Sequence, residues 1–174
     1  MNITIAGKLL KVPKGAVPLP DKSRLQVFEM LGPNRIKDSK VLDLYAGSGS
    51  NGIEALVQGA AKVIFVDITI DASECIASNL HKFNLTSRGI IEAKTVEDFM
   101  RNTILKYDII FIDPPLPQHY HRSFEGIQAK LEPDGIVVYR HIGTSNIPPT
   151  NGLKIIDRRK LVTGGEVVFL NRKA

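Results

Sequence analysis

An α/β fold with a mostly parallel sheet and helices on both faces is predicted by three features of the 174-residue sequence. Beyond Gly32-Pro33, short Val- and Ile-rich runs alternate with amphipathic ones, the pattern of βαβ units whose strands are buried on both sides. A glycine-rich loop joins the first of these apolar runs to a helical segment, as a binding loop requires. At the other end, "GLKIIDRRKLV" and "GEVVFLNRK" flank "TGG" with no helical stretch between them, which predicts an antiparallel hairpin closing the sheet.

The elements follow in order. "NITIAGKLLKV" reads as one or two short strands broken at Gly7, and "PKGAVPLP" as a rigid linker. "DKSRLQVFEML" is helical, with Asp21 as N-cap and Leu25, Phe28 and Leu31 along one face. Then come "KVLDLYA" (strand), "NGIEALVQG" (helix), "KVIFVD" (strand), "DASECIASNLHKFN" (helix), "GIIEA" (strand) and "TVEDFMRNTIL" (helix). "YDIIFID" (strand), "YHRSFEGIQAKL" (helix) and "GIVVYRH" (strand) complete the alternation, and "GTSNIPPTNG" is a mobile loop before the hairpin. The length suits one domain, 1–174, with 1–32 as a hairpin and helix extension and 33–174 as the core.

Composition narrows the class. Hydrophobic residues at 43% and charged ones at 24% describe a soluble globular protein rather than a disordered or fibrous one. No run is long enough to span a membrane and the first residues lack the apolar core of a secretion signal, so a cytoplasmic location is expected. The single cysteine, Cys75, reads as a small buried side chain, and no Cys/His cluster has metal-site spacing. The net charge of +5 is concentrated toward both ends, which suits a nucleic-acid partner as well as an ordinary solvated surface.

Within "VLDLYAGSGSNGIEAL", Gly47 and Gly49 permit a sharp turn and close approach of a ligand, and Gly52 lets the helix pack closely on the strand. A purely structural glycine turn is the plain alternative. Asp43 lies inside the apolar strand, where an unpaired carboxylate is costly, so a cation or backbone donors should meet it. Asp67 closes the next strand, where an acid can accept from ribose hydroxyls or begin a helix. "FIDPPL" ends a third strand on a carboxylate and two prolines, which fix two φ angles and remove two donors.

Together "VLDLYAGSGSNGIEAL", "FVD" and "FIDPPL" resemble the class I S-adenosylmethionine-dependent methyltransferases, and more narrowly the bacterial small-subunit ribosomal RNA guanine-N2 methyltransferase family. The resemblance extends over nearly the whole chain. It implies a Rossmann-like, seven-stranded sheet with the last strand antiparallel, S-adenosylmethionine as cofactor, and ribosomal RNA or a small-subunit particle as partner to a monomer, with no membrane or metal involved. Carried over, Asp43 faces the methionine ammonium, Ala46, Gly47, Ser48, Gly49 and Gly52 form the cofactor loop, Asp67 holds the ribose, and Ile68 and Val96 flank the adenine. The family's adenine-binding aspartate is Lys94 here, its aromatic after Asp-Pro-Pro is Leu116, and its Arg-Pro-Thr is Val17-Pro18-Leu19.

An exocyclic base amine is a poor nucleophile, because its lone pair is delocalised into the ring. A carboxylate at Asp113 and the carbonyl of Pro114, its direction fixed by Pro114 and Pro115, can accept the two amine protons and turn the lone pair toward a methyl donor. Leu116 then covers the base, with His119, Tyr120 or His121 able to supply an aromatic plane, and the loop after Asp113 is expected to close over it. Lys22 and Arg24 either contact substrate phosphate or hold the N-terminal segment against the site. Three other readings stay open: a DNA adenine-N6 methyltransferase, a degenerate relative that binds RNA or a nucleotide without turnover, and a dehydrogenase using the literal G-x-G-x-x-G.

Overall fold

The computed structural model describes residues 2–115, 124–141 and 147–172. Two short strands, β1 (Thr4–Ile5) and β2 (Lys8–Leu9), form a hairpin whose Ala6 and Gly7 both take positive φ, 44° and 75°. Helices α1 (Asp21–Leu31) and α2 (Pro33–Ile36) follow. The core then runs β3 (Lys40–Leu44), α3 (Ser50–Val57), β4 (Lys62–Asp67), α4 (Ile70–Lys82), β5 (Gly89–Ala93), α5 (Val96–Asn102) and β6 (Tyr107–Ile112). It ends with α6 (Ile127–Lys130), β7 (Leu131–His141), β8 (Leu153–Lys160) and β9 (Glu166–Arg172).

The seven core strands lie in the order β5-β4-β3-β6-β7-β9-β8. Neighbours from β5 to β7 are parallel, and β9 is inserted antiparallel between β7 and β8. This is the mostly parallel sheet with one antiparallel strand that the sequence predicts. Side chains alternate between two layers: Val41, Phe65, Ile109 and Phe111 pack with α1 to α4, and Leu42, Leu44, Ile110 and Ile112 with α5 and α6. Burial on both faces explains why these strands read as unbroken apolar runs. Thr69 and Thr95 start α4 and α5, their hydroxyls accepting from Ala72 N–H (3.3 Å) and Asp98 N–H (3.0 Å).

Several expectations differ from the structure. Pro20, not Asp21, caps α1. The Asp21 carboxylate instead accepts from Thr4 N–H (3.1 Å to each oxygen) and from Arg24 (2.9 Å), whose charged guanidinium is a stronger partner than a helix amide. Leu25 is exposed, since the buried face of α1 is Arg24, Val27, Phe28 and Leu31; an arginine with partners occupies the place expected of an apolar side chain. α5 stops at Asn102, where Thr103 turns extended. Of the helix expected over 120–131, the described residues form only Ile127–Lys130, preceded by Gly126 at φ 73°, and Leu131 already belongs to β7. Residues 143–146 of the expected mobile loop lie outside the described residues. No helix among the described residues is long and apolar enough to cross a membrane.

Candidate active site

Strand pairing brings Asp43, Asp67 and Asp113 to one end of the sheet. Asp43 is the fourth residue of β3 and pairs with Phe111 of β6; two residues on, Asp113 leaves β6 beside Arg140 of β7, whose neighbour Tyr139 pairs with Ile112. Asp43, Asp113 and Arg140 therefore share the face covered by α1 and α3.

The loop after β3 reverses through Tyr45 (φ 60°), Gly47 (φ 53°) and Gly49 (φ 73°). The three glycines differ in what their bareness permits. A Cβ at Gly52 would lie 2.3 Å from the Phe65 ring and 2.7 Å from Val63, so this glycine seats α3 on β4. A Cβ at Gly49 would press on Ile76 (3.1 Å) and Phe65 (3.2 Å). At Gly47 it would approach nothing closer than the Tyr45 carbonyl at 4.0 Å, so the backbone there is open to a ligand.

Asp43 is buried and accepts from Gly52 N–H through Oδ2 (2.9 Å). Its Oδ1 has no donor, and buried Ser48 Oγ and Asn51 Oδ1 on the same loop and helix also lack partners. Burial pushes the Asp43 carboxyl well above the usual carboxylate range; the Gly52 bond opposes this, and the charges of Asp113 and Asp67 add to it. A buried acceptor without a donor fits a ligand bearing an ammonium group.

Asp67 accepts from Gly47 N–H through Oδ2 (2.9 Å) and from both the N–H and hydroxyl of Thr69 through Oδ1 (2.9 Å each). It therefore ties the glycine loop to the end of β4, and a ribose would share oxygens that are already accepting. Ile68 is 66% exposed beside it, whereas Val96 is buried among Phe99 and Met100 at the start of α5. Ala46 N–H donates to the Val66 carbonyl (3.1 Å), closing the loop against β4. Lys94 is paired with Glu92 at 2.8 Å.

At the other corner, Arg140 Nε donates to Asp113 Oδ1 and Nη2 to the Val17 carbonyl (3.0 Å). Burial raises the Asp113 pKa, and the Arg140 charge and hydrogen bond act against that rise. Beside this pair is a crevice with room for about one water, walled by Leu19, Val27, Asn51 and Phe111. Pro114 is buried and Pro115 exposed. Leu116, His119, Tyr120 and His121 lie outside the described residues.

The two cations predicted to meet substrate part company. Lys22 is exposed. Arg24 is fully buried, its guanidinium donating to Glu54 Oε2 (3.0 Å), Asp21 Oδ1 (2.9 Å) and the Thr4 carbonyl (2.7 Å). Each of its three nitrogens has a partner, and these bonds fasten β1 and α1 to α3. The sequence motifs do not single out Asn79. Its side chain exchanges two hydrogen bonds with the Lys11 backbone (2.8 Å each) and donates to the Ser48 carbonyl (3.0 Å), joining the N-terminal segment to the glycine loop. A polar residue on the buried face of α4, next to Cys75, Ile76 and Leu80, was the signal. Arg140, a cation interrupting the apolar run of β7, was the other.

Comparison with known proteins gives a consistent result. The family described as "Conserved hypothetical protein 95" matches residues 4–170. A Bacillus subtilis (strain 168) protein named "Putative rRNA methyltransferase YlbH" is 31% identical over 162 residues, covering 88% of each chain. "Ribosomal RNA small subunit methyltransferase D" of Escherichia coli (strain K12) is 31% identical over 111 residues, 63% of this chain and 55% of that one. The chain thus spans about half the length of this second relative. Among solved structures, "Putative methyltransferase yhhF from Escherichia coli" superposes with a TM-score of 0.83 at 22% identity, covering 100% of this chain and 99% of the other, a shared fold.

Proposed function

The chain belongs to the family described as Conserved hypothetical protein 95, and from that premise we propose that it methylates an exocyclic amine of a ribosomal RNA base, with guanine N2 of the small subunit as the target. One observation carries the reading. A buried carboxylate oxygen without a donor, Asp43 Oδ1, and a second carboxylate, Asp113, stand at the same end and on the same face of the sheet, beside a glycine loop open at Gly47.

S-adenosylmethionine supplies, when bound, a methyl group on a sulfonium and an ammonium at the other end of its methionine. Asp43 Oδ1 would accept from that ammonium, which relieves the cost of its burial. The Gly47–Gly49 backbone would lie along the ligand, Asp67 would accept from ribose hydroxyls, and exposed Ile68 would contribute apolar surface toward the adenine. Asp113 and the Pro114 carbonyl would accept the two protons of the base amine, so that its lone pair points outward. The amine becomes acidic as its new bond forms, and Asp113 then takes the proton. The partner is ribosomal RNA or the small-subunit particle, met by a monomer in the cytoplasm, with Lys22 on the substrate side.

The test is to incubate the protein with labelled S-adenosylmethionine and small-subunit particles or free RNA from a strain lacking the gene, then digest to nucleosides. Label in N2-methylguanosine is expected. Label in another purine would move the substrate assignment, and label no greater than with Asp113→Ala would sink the reading.

A further inference from the structure

Arg140 touches two things at once, the acceptor carboxylate and the chain before α1. Its Nε donates to Asp113 Oδ1 and its Nη2 to the Val17 carbonyl (3.0 Å), while Leu19, two residues later, is buried as a wall of the crevice beside Asp113. The arginine and the aspartate side chains are only 11% and 13% exposed, so water competes poorly for either. One planar guanidinium spanning both groups restricts them together, because its donors have fixed directions.

We propose that Arg140 is a positioning residue that orients the Asp113 carboxylate for the base amine and couples this to the seating of Val17–Leu19, so that the acceptor and one wall of its crevice assemble as a unit. The proposal rests on the reading of Asp113 as the acceptor. With Oδ1 held by Arg140, Oδ2 is the oxygen presented to an amine. When the segment before α1 lifts, the arginine loses a carbonyl acceptor and the carboxylate loses its fixed direction.

Charge works in the same sense. Among the described residues, the charged group acting on Asp113 is Arg140 from β7, while Asp113 itself and Asp67 bear on Asp43 of β3. α1, α3 and β9 present Val27, Asn51 and Val167 to the crevice, none of them charged. Arg140 is therefore the group opposing protonation of Asp113, and its removal lets burial raise that pKa further.

Arg140→Gln and Arg140→Lys, with Asp113→Asn to assign the signal, separate the two halves of the role. Carbon-13 NMR titrates the Asp113 carboxyl, and hydrogen exchange followed by mass spectrometry reads the amides of residues 14–19. In Arg140→Gln the Asp113 signal should titrate at higher pH, the segment should exchange about tenfold faster, the loss expected from one hydrogen bond, and the acid limb of the kcat profile should move to higher pH. Cofactor affinity should stay within about twofold, since Arg140 does not touch the glycine loop. Arg140→Lys should restore the titration, which needs only charge, but not the slow exchange, which needs the second donor. An unchanged titration or unchanged exchange in a folded Arg140→Gln protein overturns the proposal. If both respond while methyl transfer is indifferent to Asp113→Asn, the coupling stands and it is the assignment of Asp113 as acceptor that fails.

Discussion

The glycine loop after β3 and the corner between β6 and β7 lie at the same end of the sheet, but they are held by different means. The loop is fixed by backbone amides: Gly47 and Gly52 N–H bind the carboxylates of Asp67 and Asp43, and missing Cβ atoms let α3 settle on Phe65. The corner is fixed by a side-chain fork, Arg140 spanning Asp113 and the Val17 carbonyl. A backbone-built site depends on which residues lack side chains; a fork-built site depends on which side chains the strand order brings together. The first tolerates most changes away from its glycines and acids, and the second can be undone by a single substitution.

Four experiments break or sharpen that contrast. Arg24→Ala has the largest expected effect, because it leaves Glu54 buried without its cation. A loss of about 3–5 kcal/mol is expected by urea denaturation, and a loss under about 1 kcal/mol would show that Arg24 is a surface ion pair after all. Next, Asp113→Asn should lower kcat by about 10²–10³-fold, the usual consequence of removing one preorganised polar group from a transition state. Calorimetry should find cofactor affinity nearly unchanged, and an equal loss of both would merge the corner with the loop.

Gly52→Ala follows. Its new methyl meets the Phe65 ring at 2.3 Å, and overpacking of this kind costs about 1–3 kcal/mol. Thermal melting should record it as about 2–4 °C per kcal/mol for a chain of this size. The smallest effect concerns Asp43. Its folded pKa is raised above the unfolded value by burial, so its protonated form favours folding. That stabilisation is complete below the ordinary carboxylate range and is lost as pH rises through the raised folded pKa. Melting temperature of the cofactor-free protein should therefore fall across that window. Asp43→Asn should show a shallower fall, with Asp113 supplying what remains, and weaker cofactor binding by calorimetry. An identical slope in the two proteins would mean that Asp43 is not the buried charge it is taken to be.

Legibility in the sequence followed the same division. Gly47, Gly49 and Gly52 announce themselves, since nothing else suits a turn followed by a close-packed helix, and Asp43 stands out as a carboxylate among apolar neighbours. The sheet was legible because β3, β4 and β6 are short apolar runs at helical intervals. By contrast, Asp113 and Arg140 are 27 residues apart and Asn79 and Lys11 are 68 apart, and such contacts exist only once strand order and helix docking are settled. Arg24 stands out in its D-K-S-R setting, but its burial is not legible there, because an arginine enters a core only when specific partners surround it. Asp21 and Leu25 were misplaced for the same reason: the hairpin amide of Thr4 and the buried guanidinium redraw the inward face of α1.

The insertion of β9 between β7 and β8 also sets a timetable. Everything the glycine loop uses, from Asn79 back to Lys11 and across to Phe65, has been synthesised well before Glu166, whereas the corner beside Arg140 includes Val167 in its wall. A chain stopped short of β9 would present β7 with an open edge and β8 with no strand beside it, and open edges recruit foreign strands. As it leaves the ribosome, the growing protein can gather the half that would hold a methyl donor while the half that would receive a base is still unfinished. A prematurely terminated copy would be a hazard to its neighbours before it could be an enzyme.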